Sequence, residues 1–271
     1  MSEFSQELIE RSGYLNEGFP DMYDRYRPPP PPELLDLLTL LTGAERPRLV
    51  VDLGCGTGLS TRAWADRADE VVGVEPNPRM IERARTATDA PNVRYVEAYA
   101  AETRLPAGET DLVTAWQAFH WMEPQPVLAE AARILRGGGA FAACDYDVPA
   151  FVEPEVDEAF ATHFQARRQA RQRLAIVAGA ARWPKEQHLD QIKGSKRFRY
   201  ARELVGHGRS ETDAERIVGL AESIGGPREI FTDQAPEVTE TFERLRETAY
   251  RVLGDRTWPF VLCCRIRVGI K

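Results

Sequence analysis

Short apolar runs, the first of them rich in β-branched residues, alternate along the first half of the chain with stretches of helical periodicity. Five of these runs predict strands, at 49–53, 71–74, 93–96, 111–115 and 140–144. Apolar residues recur at helical spacing in four other stretches, at 33–41, 59–67, 78–87 and 126–135. Strands that alternate with helices in this way predict an α/β fold with a doubly wound, mostly parallel sheet.

The pattern changes after residue 149. One long helix is predicted at 155–178, and a short helix begins at Pro184. A sixth strand at 197–206, helices at 211–224 and 236–253, and a last strand at 260–268 follow. We therefore predict four parts: an N-terminal segment with the first helix at 1–45, a sheet-forming core at 46–148, a helical insertion at 149–195, and the rest of the core at 196–271.

A glycine-rich loop follows the first predicted strand. Gly54, Gly56 and Gly58 occupy alternate positions, and glycines this close let backbone N–H groups approach a ligand because no Cβ intervenes. A strand, a glycine loop and a helix in this order open a mononucleotide-binding half-site. The loop lacks the Gly-Lys-Ser/Thr ending of a P-loop, and its Gly-x-Gly-x-Gly spacing differs from the dinucleotide-binding pattern.

Two carboxylates stand near the ends of the first two predicted strands. Asp52 precedes the first glycine of the loop, and Glu75 ends the second strand. A carboxylate at Asp52 repels a pyrophosphate and attracts a cationic amine. An acid at Glu75 accepts hydrogen bonds from ribose hydroxyls, which alone suits NAD equally well. Together the two acids favour a nucleoside with an ammonium group and no phosphate, such as S-adenosylmethionine (SAM).

Two segments carry a family resemblance: Val-Asp-Leu-Gly-Cys-Gly-Thr-Gly at 51–58 and Val-Gly-Val-Glu-Pro-Asn at 72–77. They resemble class I SAM-dependent methyltransferases, in particular the small-molecule group with the trans-aconitate methyltransferase relatives and many natural-product tailoring enzymes. The resemblance covers 23–146 well. It implies a Rossmann-like, seven-stranded sheet whose last strand is antiparallel and lies between the fifth and sixth. It also implies SAM as cofactor and S-adenosylhomocysteine as its product.

The resemblance further implies a set of cofactor contacts. Arg27 is expected to pair with the SAM carboxylate, and a solvated Arg27 beside packed tyrosines is an equally open alternative. The family usually carries an Asp where this chain has Ala100, so adenine is expected against the residues that follow. The expected cofactor-binding residues are Tyr26, Arg27, Asp52, Gly54, Gly56, Gly58, Glu75, Pro76, Asn77, Met80, Ala101, Glu102 and Gln117.

The methyl acceptor is expected under the insertion, where this family places its substrate cap. The candidate acceptor contacts are Tyr23, Trp121, Phe160, Phe164, Trp183 and His188, and packing in an aromatic core is the alternative for each. His120 is a candidate base, since the reference pKa of histidine suits proton removal at neutral pH. The alternative is that His120 is a hydrogen-bonded residue that orients its loop.

Composition and charge limit the binding partners and the cellular location that we expect. The net charge of −7 argues against nucleic acid as the main partner. The four cysteines lack metal-ligand spacing and suit reduced thiols, so we expect no metal and a cytoplasmic location. No apolar run is long enough to cross a membrane, and no leader pattern is expected. The arginine-rich, lysine-poor composition suggests a bacterial chain, and a monomer and a homodimer both stay open.

These observations predict a SAM-dependent methyltransferase. Its methyl group would pass to an O, N or C nucleophile of a small molecule, such as a bacterial secondary metabolite or a small carboxylic acid, by in-line displacement under the cap. Three alternatives stay open. The first is a methyltransferase that acts on protein or RNA, and the second is a non-catalytic partner protein with the SAM-binding fold, which would be expected to have lost Asp52 or the glycines. The third is an NAD-dependent oxidoreductase with an atypical glycine loop.

Overall fold

Seven strands form one sheet in this computed structural model, which describes residues 18–174, 183–224 and 234–271. The strands are β1 (Leu49–Leu53), β2 (Glu70–Glu75), β3 (Val93–Glu97), β4 (Thr110–Trp116), β5 (Leu135–Tyr146), β6 (Tyr200–Thr212) and β7 (Trp258–Ile270). Their order across the sheet is β3-β2-β1-β4-β5-β7-β6. The first five pair in parallel, and β7 pairs antiparallel with β5. The predicted mostly parallel sheet with an antiparallel last strand is confirmed.

Helices occupy most of the connections. They are α1 (Phe19–Tyr26), α2 (Pro32–Leu41), α3 (Leu59–Arg62), α4 (Pro78–Thr86), α5 (Pro124–Ile134), α6 (Pro154–Arg173), α7 (His188–Gly194), α8 (Ala214–Ser223) and α9 (Pro236–Leu253). Two one-turn 3₁₀ helices add Phe119–Trp121 and Lys185–Gln187. Six of the α-helices carry proline at their first or second position, where a missing N–H costs no helical hydrogen bond.

The chain divides into two compact units. Of the described residues, the first comprises 18–28, 147–174, 209–224 and 234–262, and within it α9 packs on both α6 and α8. The second comprises 29–146, 183–208 and 263–271 and contains the parallel strands. Its core is built from side chains of the parallel strands and α5, among them Val51, Val72, Val113, Leu128 and Phe141. The predicted partition at 45, 148 and 195 stays a prediction, and residues 1–17 of its first part lie outside the described chain.

Several predicted boundaries differ from the observed ones. The helix predicted at 59–67 ends at Arg62, because the chain continues in tighter turns in which Trp64 N–H donates to Thr61 O at 3.1 Å. The long helix predicted at 155–178 is α6, and residues 175–178 lie outside the described chain. The sixth strand begins three residues later than predicted and continues to Thr212.

A glycine-rich bulge lies inside β5. The sequence predicts a turn at 136–139 before the strand, but β5 already begins at Leu135. Its pairing with β4 passes from Thr110↔Leu135 to Leu112↔Ala140, so β5 accommodates three extra residues, the glycines among them. The prediction of a separate turn was therefore wrong.

The order of the strands identifies the edge where a ligand binds. From β1 the chain adds β2 and β3 on one side and then crosses to β4 on the other. In open parallel sheets, ligands occupy the crevice outside the carboxyl ends of the strands at such a reversal. The carboxyl ends of β1, β2, β4 and β5 are therefore the place to examine for a site.

Candidate functional site

The loop between β1 and α3 exposes its backbone at one glycine. Gly54, Gly56 and Gly58 have φ angles of 67°, 55° and 80°, a region that favours glycine. A Cβ at Gly58 would lie 2.3 Å from Tyr95 Oη, so that glycine is needed for packing within the protein. A Cβ at Gly56 would meet nothing within 4 Å. The Gly56 peptide therefore borders open space at the carboxyl end of β1, as the sequence predicts for a ligand cradle.

The first glycine of the loop contacts the segment that follows β4. A Cβ at Gly54 would lie 2.6 Å from Met122 Cε and 2.8 Å from Ala118 Cβ. The Gly54 N–H also donates to Val74 O at 2.8 Å, which ties the loop to β2. Glycine at this position thus lets three elements of the second unit meet at the predicted cofactor crevice.

Asp52 is fully buried and surrounded by hydroxyl groups. Its carboxylate accepts hydrogen bonds from Ser60 Oγ at 2.6 Å, Thr61 Oγ1 at 2.8 Å and Thr114 Oγ1 at 2.9 Å. Burial raises the pKa of the Asp52 carboxyl to about 6, and the three hydroxyl donors offset only part of that effect. The carboxylate therefore joins the start of α3 to the later part of β4, while its predicted direct attraction for an ammonium group stays a prediction.

Glu75 lies at the end of β2 and is partly buried. Its Oε2 accepts from Gly56 N–H at 3.1 Å, and its Oε1 accepts from Asn77 N–H at 3.0 Å. Burial raises the pKa of the Glu75 carboxyl to about 7, and these backbone donors oppose the shift. Each carboxylate oxygen keeps acceptor capacity beyond one hydrogen bond, which is what the predicted contact to ribose hydroxyls requires.

The residues after Glu75 start the next helix. Asn77 is buried, and its Oδ1 accepts from Arg79 N–H at 3.0 Å and Met80 N–H at 3.4 Å, so it is the N-cap of α4. Met80 is buried and Pro76 is half-buried. Because the Asn77 side chain is engaged in capping, a contact with the cofactor would come through its backbone. The predicted cofactor contacts of these residues stay predictions.

The loop after β3 turns its acidic side chain outward. Ala101 and Glu102 are exposed, Glu102 N–H donates to Tyr99 O at 2.9 Å, and the Glu102 carboxylate lies 4.0 Å from Arg104. Ala100, which stands where the family usually has Asp, is buried. The Glu102 side chain is directed toward solvent, and the predicted adenine contact of Ala101 and Glu102 stays a prediction.

Gln117 follows β4 in a backbone conformation that non-glycine residues rarely adopt. Its φ is 51°, and its N–H donates to Cys144 O at 2.8 Å. Its Nε2 donates to Tyr146 O at 3.2 Å, and its Oε1 accepts from Lys185 Nζ at 2.6 Å. Unfavourable backbone geometry held in place by such contacts is common at functional sites. The structure therefore places Gln117 between the ends of β4 and β5.

His120 and Trp121 lie on the 3₁₀ helix after β4. Their ring centroids are 5.4 Å apart, and the His120 side chain is 12% exposed. The His120 carbonyl accepts from Trp183 N–H at 3.0 Å, so the predicted acceptor residues Trp121 and Trp183 both lie beside His120 along the chain or in space. His120 Nδ1 is 3.9 Å from Oδ1 of Asp145, a residue that sequence reasoning did not single out.

Asp145 lies near the end of β5 among positive charges. Lys185 Nζ is 2.9 Å from its Oδ1, while Arg267 Nη1 is 2.9 Å and His188 Nδ1 is 3.4 Å from its Oδ2. Burial alone would raise the pKa of the Asp145 carboxyl, but the His188 contact and the Lys185 charge outweigh it and hold that pKa well below its usual range. We call Asp145, Lys185, Arg267, His188 and His120 the Asp145 cluster.

Part of this cluster had a signal in the sequence. Asp145 directly follows an apolar strand run, as Glu75 does, and the same reasoning about strand ends would have found it. Lys185 and Arg267 lie 40 and 122 residues further on, and no local pattern connects them with Asp145.

Tyr23, Tyr26 and Arg27 lie in the first unit. Arg27 is buried, its Nη2 donates to Ser223 O at 2.7 Å, and its guanidinium lies 4.9 Å from the Tyr23 ring centroid. The Tyr26 hydroxyl donates to Glu215 Oε1 at 3.1 Å. The open alternative of a solvated Arg27 is wrong, because the side chain is buried. Its predicted pairing with the SAM carboxylate, and the ligand contacts of both tyrosines, stay predictions.

The remaining predicted acceptor residues belong to both units. Phe160 is buried beside a small apolar cavity in the first unit, which is also lined by Val156, Ile217, Leu220 and Phe260. Phe164 is half-buried on the same helix. His188 is fully buried in the second unit, where its ring packs edge-on against Phe119 with centroids 4.8 Å apart. His188 is thus a buried neighbour of Asp145, and its side chain is not accessible from solvent.

Residues 18–174, 183–224 and 234–271 were searched for metal-binding groups and for membrane-spanning helices. Across these ranges, no group of three or more His, Cys, Asp or Glu residues has the arrangement of a metal site. Nor does any helix within them combine the length and the apolar character needed to span a bilayer.

Sequence comparison supports the interpretation of the glycine loop. Residues 51–143 match a family model described as a methyltransferase domain. The chain is 40% identical over 117 residues to the uncharacterized methyltransferase Rv3342 of Mycobacterium tuberculosis, a match that covers 43% of the chain and 46% of that relative. It is 35% identical to the uncharacterized methyltransferase sll0829 of Synechocystis, over 52% of the chain and 62% of the relative. The chain thus spans about half the length of the curated relatives that it matches.

Structural comparison shows the same fold. A protein from Anaeromyxobacter dehalogenans, described as a type II methyltransferase, aligns with a TM-score of 0.66 over 90% of this chain and 98% of its own, at 23% identity. The YcgJ protein from Bacillus subtilis aligns with a TM-score of 0.54 over 88% of this chain, at 18% identity.

Proposed function

We propose that this chain, whose residues 51–143 match a methyltransferase domain, is a class I SAM-dependent methyltransferase that moves a methyl group from SAM to a small molecule. The observation that carries the proposal is the crevice at the carboxyl ends of β1 and β2. There the Gly56 peptide borders open space while its N–H is held by the Glu75 carboxylate. This combination of an open backbone and an acceptor for hydroxyl groups fits a nucleoside without phosphates.

The residues around the crevice fit the parts of SAM. Glu75 would accept from the ribose hydroxyls, Gly54 and Gly56 would border the methionine part, and Met80 would lie against adenine. The backbone of Ala101 and Glu102 would face the adenine edge. Asp52 would act by holding the loop, because its own oxygens already accept three hydroxyl hydrogen bonds.

Chemistry at the acceptor end depends on positioning. When bound, SAM supplies an activated methyl group and is released as S-adenosylhomocysteine. The protein then has to hold the acceptor nucleophile in line with that methyl group, and correct alignment is worth about 7–11 kcal/mol in the best cases. We assign this task to His120, whereas Gln117, also just after β4, would contact the methionine part of SAM. His120 would take the proton if the nucleophile is a hydroxyl group.

The small size of the acceptor is inferred from the segment 183–188. Trp183 N–H donates to His120 O, and Lys185 Nζ donates to Gln117 Oε1, so this segment is tied to the end of β4. A segment fastened beside this edge favours a small acceptor over a polymer chain that needs an open groove. The net charge of −7 agrees, since it disfavours RNA. The cytoplasmic and bacterial assignments, and a metabolite or small carboxylic acid as acceptor, rest on composition and resemblance.

Radiolabelled methyl transfer tests this proposal. The protein is incubated with methyl-labelled SAM and a bacterial lysate that has been separated into small-molecule, protein and RNA fractions. We expect label in the small-molecule fraction, suppressed by excess S-adenosylhomocysteine. Label in protein or RNA would support the macromolecular alternative instead. Calorimetric binding of NADH with no binding of SAM would support the oxidoreductase alternative and overturn the cofactor assignment.

A further inference from the structure

Two basic side chains, Lys185 and His120, approach the same carboxylate oxygen of Asp145. Lys185 Nζ lies 2.9 Å from Asp145 Oδ1, and His120 Nδ1 lies 3.9 Å from the same oxygen. The Asp145 side chain is 4% exposed, and that of His120 is 12% exposed. At such burial, charges interact much more strongly than at a surface, because little water is present to screen them. The imidazole and the ammonium therefore compete for a single buried negative charge.

The rest of the cluster keeps Asp145 ionised and in place. Arg267 Nη1 and His188 Nδ1 occupy the other oxygen, Oδ2, and Arg267 is itself held by Glu203 Oε2 at 2.7 Å. Arg267 is 4% exposed and lies on β7, whose pairing with β5 fixes its position opposite Ala143. Asp145 is thus a rigid anion, and Lys185 is its most exposed partner, with 32% of its side chain accessible.

We propose that Asp145 and Lys185 are positioning residues that act through His120. Asp145 orients the His120 imidazole and stabilises its protonated form. The positive charge of Lys185 reduces that stabilisation, because it partly neutralises the Asp145 carboxylate. This rests on the proposed methyl transfer to a small-molecule acceptor. Lys185 also donates to Gln117 Oε1 at 2.6 Å, so a shift of its ammonium group would change the side chain at the cofactor end and the base together.

The proton has a defined route in this scheme. As an acceptor hydroxyl oxygen bonds to the methyl carbon, its proton passes to His120 Nε2 and the electron pair of the carbon–sulfur bond stays with sulfur. The imidazolium that results is compensated by Asp145 and later loses its proton to solvent. An acceptor that is already a carboxylate needs no such proton transfer, and for it the cluster would act on alignment alone.

The test measures the titration midpoint of His120 by NMR of its ring carbon, in the protein without cofactor or acceptor. His120→Asn assigns the signal. The charged or titratable side chains of the cluster around His120 are those of Asp145, Lys185, His188 and Arg267. In Asp145→Asn the midpoint should fall by about one pH unit or more, and in Lys185→Met it should rise, because the competing cation is gone. Lys193→Met, on the exposed face of α7, is the matched control and should leave the midpoint unchanged.

Opposite shifts in the two variants support the proposal. Shifts in the same direction, or a midpoint that moves by less than about 0.2 pH unit in Lys185→Met, would overturn it. The exposed His207 serves as an internal reference in each spectrum. Should Asp145→Asn unfold, the Lys185→Met result still decides. The titration is carried out without SAM. Its result is therefore independent of whether the protein transfers methyl groups to a small molecule.

Discussion

Asp52 and Asp145 are both buried carboxylates at strand ends of one sheet, yet their surroundings are opposite. Asp52, 0% exposed, is satisfied by the hydroxyl groups of Ser60, Thr61 and Thr114. Asp145, 3% exposed, is satisfied mainly by positive charges. Burial raises the pKa of Asp52 to about 6, while the surroundings of Asp145 hold its pKa well below the usual range.

The difference shows that position on the fold does not set the charge of a site. Hydroxyl donors orient a carboxylate but add no charge, so the cost of burial dominates at Asp52. Cations compensate that cost at Asp145. The predicted cofactor end of the sheet therefore contains acids whose pKa values are raised toward neutrality, and the predicted acceptor end contains one whose pKa is held low.

The largest effect should follow from removing the charge at Asp145. Asp145→Asn leaves Arg267 and Lys185 without their buried anion, which typically costs about 3–5 kcal/mol of unfolding free energy. The isosteric Asp52→Asn should cost much less at pH 7.5, because it also removes a buried charge that lacks a cation. Urea unfolding of both variants measures the difference. Equal losses would contradict the comparison.

A second prediction concerns stability and pH. Because the folded pKa of Asp52 lies above its unfolded value, the stabilisation is complete below about pH 4 and is lost as pH rises through about 6. The full shift corresponds to about 3 kcal/mol, of which roughly half should disappear between pH 5 and pH 8. We expect Asp52→Asn to have a correspondingly flatter profile in urea unfolding at these two pH values. A profile parallel to that of the unmodified protein would count against the shifted pKa.

The third prediction concerns the cofactor. Ribose hydroxyls need an ionised Glu75 as acceptor, and its pKa is raised to about 7, so SAM affinity should increase about tenfold from pH 6 to pH 8. Glu75→Gln should remove that increase. Glu97→Gln is the matched control, since Glu97 is the exposed register partner of Glu75 on β3. Calorimetry measures the SAM affinity of the unmodified protein and both variants at the two pH values. Protonation of SAM itself affects all three proteins equally and so does not alter the comparison. A Glu75→Gln protein that keeps the full pH dependence would remove Glu75 from the ribose contact.

The smallest effect is expected at Glu102. Its side chain is 74% exposed and pairs only at 4.0 Å with Arg104, so Glu102→Ala should change SAM affinity by no more than about twofold. This outcome would assign the adenine contact to the backbone. A loss of tenfold or more in the same calorimetric titration would show that the carboxylate turns inward when SAM binds.

The parallel strands were predictable because their signal is local. Short apolar runs mark β1 to β5, and the observed parallel registers confirm them. Boundaries were less predictable where glycine or turns decide them, as at α3 and at the bulge of β5. The bulge arises from the register with β4, which depends on contacts that the sequence does not display.

The two ends of the site differed in the same way. Asp52, Gly56 and Glu75 could be singled out because the glycine spacing and the strand-end acids are local features of the sequence. Asp145, Lys185 and Arg267 were missed because their ion pairs join residues 40 and 122 positions apart. Arg27 illustrates the same limit, since its partner Ser223 lies 196 residues away. Charge compensation across such distances is a property of packing.

The most direct test of the contrast is a carboxyl-carbon NMR titration of protein labelled with ¹³C-aspartate, with Asp52→Asn and Asp145→Asn used to assign the two signals. The account predicts a midpoint near pH 6 for Asp52 and no titration of Asp145 between pH 4.5 and pH 8.5. Titration of Asp145 within that range, or of Asp52 near the ordinary value of about 4, would contradict it.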